Sequence, residues 1–358
     1  MKLPAWRFLM APANWACVLA VVYSGVSLTH ATPQQAQAAP ASAEAKGSER
    51  SISEWLMRMH EASRKRAYVG TFVVTSASSM SSARIWHACD GDLQMDRVES
   101  LTGAPRSTFR RNDDVITFHP ESKTALAEKR DALGLFPNLL KAADSAIEQY
   151  YTARQLGLDR VAGFETDVVQ LSAKDSLRYG YRVWSERRSG LVVKLQTLDT
   201  DGKVLEQAAY SELQLDAPVS MDKLSQMMAN VDGYKVERPE MVKTSALAEG
   251  WALKAAVAGF KPMSCYKRAV ARGDGKADGA GADSAMQWIF SDGLASVSLF
   301  AEVFDRQRHG QEGLMVFGAT KSITRKLLDG PTQWWLTVVG EVPTQTLSSF
   351  AQGLERRK

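Results

Sequence analysis

Few side chains in this 358-residue chain have the type and spacing that chemistry requires. His87 and Cys89 form an H-x-C pair, but structural zinc sites take four ligands and catalytic ones three, so two make no metal site. Asp113 and Asp114 adjoin in "NDD", a turn composition that favours Asp because its carboxylate bonds nearby backbone N–H groups. His60, His119 and His309 are scattered, with no nucleophile at a recognised spacing. No P-loop, G-x-G-x-x-G, G-x-S-x-G or H-E-x-x-H occurs. These absences point to a binding protein, with no catalytic residues, no cofactor and no metal.

Binding chemistry is better represented. Tyr68, Phe72, Trp86, Phe118, Tyr150, Tyr151 and Tyr181, with Val183, concentrate in one half of the chain. Two readings stay open: large aromatics fill interiors, or they line a concave site for an acyl chain. Basic groups recur at Arg64–Arg66, Phe109–Arg111, Glu186–Arg188 and Asp305–His309. Each reads as a solvated turn or helix end, though several on one face could meet an anionic partner. The formal charge of +4 includes Lys2 and Arg7, and falls to +2 without those two cations. That balance gives no case for nucleic acid.

The first 38 residues stand apart. Lys2 and Arg7 precede the apolar run Phe8 to Leu28 and the small-x-small site "AQA" at Ala36 to Ala38, the plan of a cleavable export signal. An uncleaved anchor is the alternative, because the run is about as long as a bilayer span. Export places the protein in an oxidising compartment, where Cys89 and Cys265 could join in a disulfide or stand as two unrelated thiols. Residues 39–50 are small and polar, a flexible entry segment.

From Ser51 the spacing of Ile52, Trp55, Leu56 and Met59 predicts an amphipathic helix, with Ser51 or Ser53 as its cap. The period then changes to two: "YVGTFVVT", "ARIWHAC", "LQMDRVES", "RSTFRR" and "VITFHP" read as strands of an antiparallel meander. Between Ser122 and Gly157 the alternation breaks, and residues 134–153 read as a helical insertion. Strands resume with "VAGFETDVVQL" and the segment Arg178 to Tyr210, where Tyr179, Tyr181, Val183, Leu191, Val193 and Leu195 share one face. Arg178, Arg182, Lys194 and Gln196 fall on the other, with Trp184 as an exception. A sheet with an apolar face needs a cover, and the two helical segments supply it.

The expected architecture is α+β: a large curved antiparallel sheet domain covered by helices over 51–216, a connector over 217–244, and a smaller α+β domain over 245–358. In the second domain "MQWIFSDGLASVSLFAEVF", "GLMVFGATKSITRKL" and "TQWWLTVVGEVP" read as strands, and Leu347, Phe350, Ala351 and Leu354 as one face of a Thr-capped terminal helix. The Gly- and Asp-rich segment 271–285 reads as a surface hairpin.

Four segments in consistent order resemble the MucB/RseB family of periplasmic regulators: "RYGYRVWSERRSGLVVKLQTLDTDGKVLEQ", "YYTARQLGLDRVAGFETDVVQL", "FSDGLASVSLF" and "LTVVGEVPTQT". The resemblance implies a first domain similar to LolA- and LolB-type lipoprotein carriers, with the aromatic residues above and Val183 around a lipid cavity. It implies a second domain that contacts the periplasmic part of a transmembrane anti-sigma factor of the RseA/MucA type, for which Phe300, Arg306 and Arg308 are the candidates. Shielding that partner from proteolysis would keep the envelope-stress sigma factor inactive, and lipopolysaccharide or acylated lipoprotein would release it. A lipid or lipoprotein carrier is the alternative function, and a homo-oligomer stays open. One departure is the strand Phe164 to Leu171, which has no cysteine here, so no shared disulfide is implied.

Overall fold

The computed structural model describes residues 50–77, 79–129, 146–269 and 284–357. The expected signal peptide, nearly all of the entry segment, most of the helical insertion and most of the Gly/Asp-rich hairpin lie outside these residues.

Helix α1 (Ile52–Lys65) follows from its sequence at both ends. Ser51 Oγ accepts from the Glu54 N–H at 3.2 Å, while the Glu54 carboxylate accepts from the Ser51 N–H at 2.7 Å, closing a capping box. Ile52, Trp55, Leu56 and Met59 are all buried, each contributing about 1.5–3 kcal/mol by leaving water. Ser51→Ala is expected to cost about 1 kcal/mol, read as a lower urea midpoint at unchanged slope.

Twelve strands form the first sheet: β1 (Tyr68–Ser76), β2 (Ser79–Asp90), β3 (Leu93–Ser100), β4 (Ser107–Arg111), β5 (Asp114–His119), β6 (Thr124–Lys129), β7 (Tyr151–Val161), β8 (Phe164–Ala173), β9 (Gly180–Glu186), β10 (Val192–Leu198), β11 (Val204–Leu215) and β12 (Lys235–Glu237). Their spatial order is β12-β6-β5-β4-β3-β2-β1-β11-β10-β9-β8-β7. Two meanders therefore meet where β1 pairs with β11, and only β12 joins in parallel, on β6. β6 corrects the expectation of a break after Ser122: "TALAEK" is rich in helix formers, but register with β5 from Asp114↔Lys129 to His119↔Thr124 overrides that preference. In the insertion, only α2 (Ile147–Tyr150) is helical among the described residues, and Tyr151 already begins β7.

Both faces of this sheet are used. Tyr68, Phe72, Ile85, Val98, Val169, Leu171, Tyr181, Val183 and Leu195 pack under α1. By strand alternation Ala88, Met95, Phe109, Ile116, Phe118 and Ala125 point the other way, against Leu224 of α3 (Met221–Ala229). The segment expected as a connector is thus mostly built into the folds: α3 covers the first sheet, β12 extends it, and β13 (Met241–Lys243) already pairs with the second domain.

That second domain is a seven-stranded sheet in the order β13-β15-β16-β17-β20-β19-β18. Its strands are β13, β15 (Lys261–Ala269), β16 (Ser284–Ser291), β17 (Ser296–Val303), β18 (Gly313–Phe317), β19 (Thr320–Asp329) and β20 (Thr332–Gly340). Helix α4 (Thr344–Gly353) closes it, with Leu347, Phe350 and Ala351 buried as their spacing predicts, followed by buried Leu354. The expected Thr cap is absent: Pro343 is the N-cap residue, and Thr344 Oγ1 instead accepts from Lys321 Nζ. A two-stranded ribbon, β14 (Trp251–Leu253) with β21 (Leu354–Arg356), pins the end of α4.

Candidate functional site

The two domains are joined through Arg178, which precedes β9, and Asp292, which follows β16. Both side chains are fully buried, and Arg178 Nη1 donates to Asp292 Oδ2 at 2.8 Å. Tyr151 at the head of β7 donates its hydroxyl to the same oxygen at 2.9 Å. Oδ1 of Asp292 accepts from the Leu294 and Ala295 N–H groups, so both carboxylate oxygens are used. The rest of the guanidinium is also occupied: Nε donates to Asp175, Nη2 donates to the Ala258 carbonyl, and the rings of Tyr150 and Phe260 lie 4.5 and 5.2 Å away. Burial opposes the charge, but Asp175 and Asp292 outweigh it and hold the Arg178 pKa above its ordinary value. Burial, Tyr181 and Asp292 together push the Tyr151 phenol well above its usual range.

Backbone geometry is fitted to this cation. Gly259 has φ +83°, and a Cβ there would stand 2.7 Å from Arg178 Nη2, so the position accepts neither the conformation nor the bulk of another residue. Further along the junction, Thr346 Oγ1 of α4 donates to the Leu177 carbonyl at 2.6 Å, and Gln345 Nε2 donates to Ser176 Oγ. Arg178, Tyr151, Asp292 and Thr346 come from the four quoted segments, one from each. The motifs that make the sequence recognisable are therefore the contacts that fix one domain on the other.

The other predicted residues divide. Tyr68, Phe72, Tyr151, Tyr181 and Val183 lie buried in the packed layer under α1, and Tyr150 packs against it. Trp86 and Phe118 are on the opposite face, so the eight do not converge on one cavity. A cavity of about 510 Å3 instead lies under α3, and of the eight only Trp86 lines it. The reason is register: Trp86 faces away from its neighbours Ile85 and His87, which point towards α1. Sequence reasoning missed this groove because α3 was read as part of a connector.

Phe300, Arg306 and Arg308 are likewise separate in environment. Phe300 is half-buried on β17, Arg306 is exposed, and Arg308 is held by Glu302 at 3.2 Å and Asp305 at 3.1 Å. His87 is fully buried, with Nδ1 bonded to Asp96 and its ring stacked on Tyr68. Burial would raise the Asp96 pKa, but His87 and Arg110 outweigh it and leave the carboxyl below its ordinary value. The H-x-C pair is thus half of a buried polar network, and no group of three metal-ligating residues occurs among the described residues. Cys89 and Cys265 are both free. Burial, helped by Glu249, pushes the Cys265 thiol up to about 11.

Comparison with known proteins follows the same division into domains. The profile of the MucB/RseB N-terminal domain matches residues 51–228, and that of the MucB/RseB C-terminal domain matches residues 245–355. The chain is 27% identical over 300 residues to the sigma factor AlgU regulatory protein MucB of Pseudomonas aeruginosa, covering 84% of this chain and 89% of that one. It is 23% identical over 301 residues to the sigma-E factor regulatory protein RseB of Escherichia coli K12, with the same coverage. The solved Pseudomonas aeruginosa MucA/MucB complex superposes with a TM-score of 0.64 at 25% identity, over 86% of this chain and 99% of that one. With both domains matched, in order and across the junction that fixes them together, this chain belongs to the MucB/RseB family of sigma factor regulatory proteins.

Proposed function

We propose that this chain is an exported, periplasmic regulator that binds the periplasmic part of a membrane anti-sigma factor and shields it from regulated proteolysis, keeping the envelope-stress sigma factor inactive. The observation that carries this reading is the solved complex of the relative MucB with MucA, which aligns along both domains of this chain. Phe300 and exposed Arg306 are the residues we assign to partner contact in the second domain. Arg308 is assigned to hold the loop that presents Arg306, because its guanidinium is engaged by Glu302 and Asp305.

Shielding is a linkage effect. A regulator that binds only the uncut partner protects it in proportion to occupancy, and at a hundred times Kd about one partner molecule in a hundred is uncovered. Lipopolysaccharide or a mislocalised lipoprotein releases the partner only by binding better to the unbound regulator. The test is cleavage of a purified anti-sigma periplasmic fragment by its site-1 protease, with and without the mature chain. The expected result is slowing by about a hundredfold at that excess, reversed by acylated ligand. An unchanged cleavage rate sinks the reading.

A further inference from the structure

The cavity under α3 has a composition that the regulatory reading does not use. It lies between the start of α3 and strands β1 to β3. Its apolar floor and wall are Val69, Trp86, Leu224 and Met227, and its rim carries Arg84, Arg97 and Lys223. Arg84 and Arg97 flank the Trp86 ring, at 5.3 and 4.7 Å from its centroid. Arg97 is held by Glu99 at 2.9 Å. Arg84 and Lys223 are exposed and have no carboxylate partner among the described residues. No acidic residue lines the cavity; Glu212 belongs to a smaller hollow on the far side of Arg84.

A concave apolar site with a few charged groups at its mouth selects a ligand of matching polarity. Unneutralised cations beside an aromatic wall call for an anion joined to an apolar segment. Size narrows the class: at about 30 Å3 for each water-sized group, 510 Å3 admits one alkyl chain of roughly fifteen carbons and no second one.

We propose that this groove binds a single-chain fatty-acid carboxylate, its head between Arg84 and Lys223 and its tail along Val69, Trp86, Leu224 and Met227. The site is separate from the interdomain junction and requires no anti-sigma factor.

The test is isothermal titration of the mature chain with dodecanoate below its aggregation concentration, with dodecanol as neutral probe and acetate as head-only probe. One-to-one binding of dodecanoate is expected, with dodecanol at least tenfold weaker and acetate without measurable affinity. The double substitution Arg84→Ser and Lys223→Ser changes only exposed side chains. It is expected to weaken dodecanoate at least tenfold and leave dodecanol unchanged. Val219→Trp, which fills the groove from the α3 side, is expected to abolish both. Equal affinity for dodecanoate and dodecanol, or dodecanoate binding unchanged in the double variant, overturns the proposal. Protection of the anti-sigma fragment, measured on the same variants, is expected to be retained, so failure of the groove and failure of the regulatory reading are told apart.

Discussion

Asp292→Ala is expected to destabilise the chain by about 3–5 kcal/mol, the range for removing one partner of a buried ion pair. The truncation leaves Arg178 Nη1 and the Tyr151 hydroxyl without their acceptor at a fully buried site, and frees the N–H groups of Leu294 and Ala295. Asp175 still pairs with Arg178 from a partly exposed position, which places the cost nearer the lower end of the range. Asp292→Asn keeps the shape and one acceptor, and is expected to cost less than the Ala variant. The interaction spans 114 residues and two domains, so uncoupling should also show: urea unfolding that is one transition in the parent separates into two. Limited proteolysis should begin at 238–240, between the strands of the two sheets. An Ala variant within 1 kcal/mol of the parent, with a single transition, would show that the pair does not hold the domains together.

This junction marks the limit of what the sequence could disclose. Local order was legible: the period-two runs became strands, the α1 face was buried as spaced, and Tyr179, Tyr181, Val183, Leu191, Val193 and Leu195 are all buried. Those readings rest on patterns a few residues long, where side-chain alternation is decisive. Arg178 shows the opposite case. Its position among Arg182, Lys194 and Gln196 argues for a solvent face, yet it is fully buried because its partner lies in another domain. Trp184, the exception on that face, is explained by neighbours equally remote from it in sequence: its indole N–H donates to Asp159, and Lys194 Nζ lies 4.2 Å from its ring. The groove under α3 was hidden for a related reason. Whether Trp86 and Phe118 share a face with Tyr68 and Tyr181 depends on register across six strands, and an error at one strand inverts every side chain on it.

The second large effect concerns pH. Glu206 of β11 faces the β18–β19 turn of the other domain, where a Cβ on Gly318 would stand 2.3 Å from its carboxylate. Burial, reinforced by Glu341, raises its pKa from 4.5 to about 7 although the Ala319 N–H bonds it. Glu341 is raised in the same direction by burial, while Thr320 Oγ1 donates to it. The other groups about the two acids are Tyr181, whose phenol is pushed up by burial and then by Glu341, and Lys321, whose Nζ lies over the Tyr179 ring at 5.6 Å. Between pH 4.5 and 7 the folded chain therefore holds a proton on Glu206 that the unfolded chain has released. Folded protein binding more protons means that stability falls as pH rises across this window, by up to about 3 kcal/mol. The carboxyls with lowered values, Asp96 and Glu186 among them, act below it. His119, lowered by burial and Arg106, works against the trend inside it. Glu206→Gln removes only the first contribution, so parent and variant should be nearly equal at pH 4.5 and diverge steadily to pH 8, with the variant the more stable. Since the loss falls on the domain junction, it should register as a lower first urea midpoint in the parent. Parallel stability curves for the two proteins would remove Glu206 as the source.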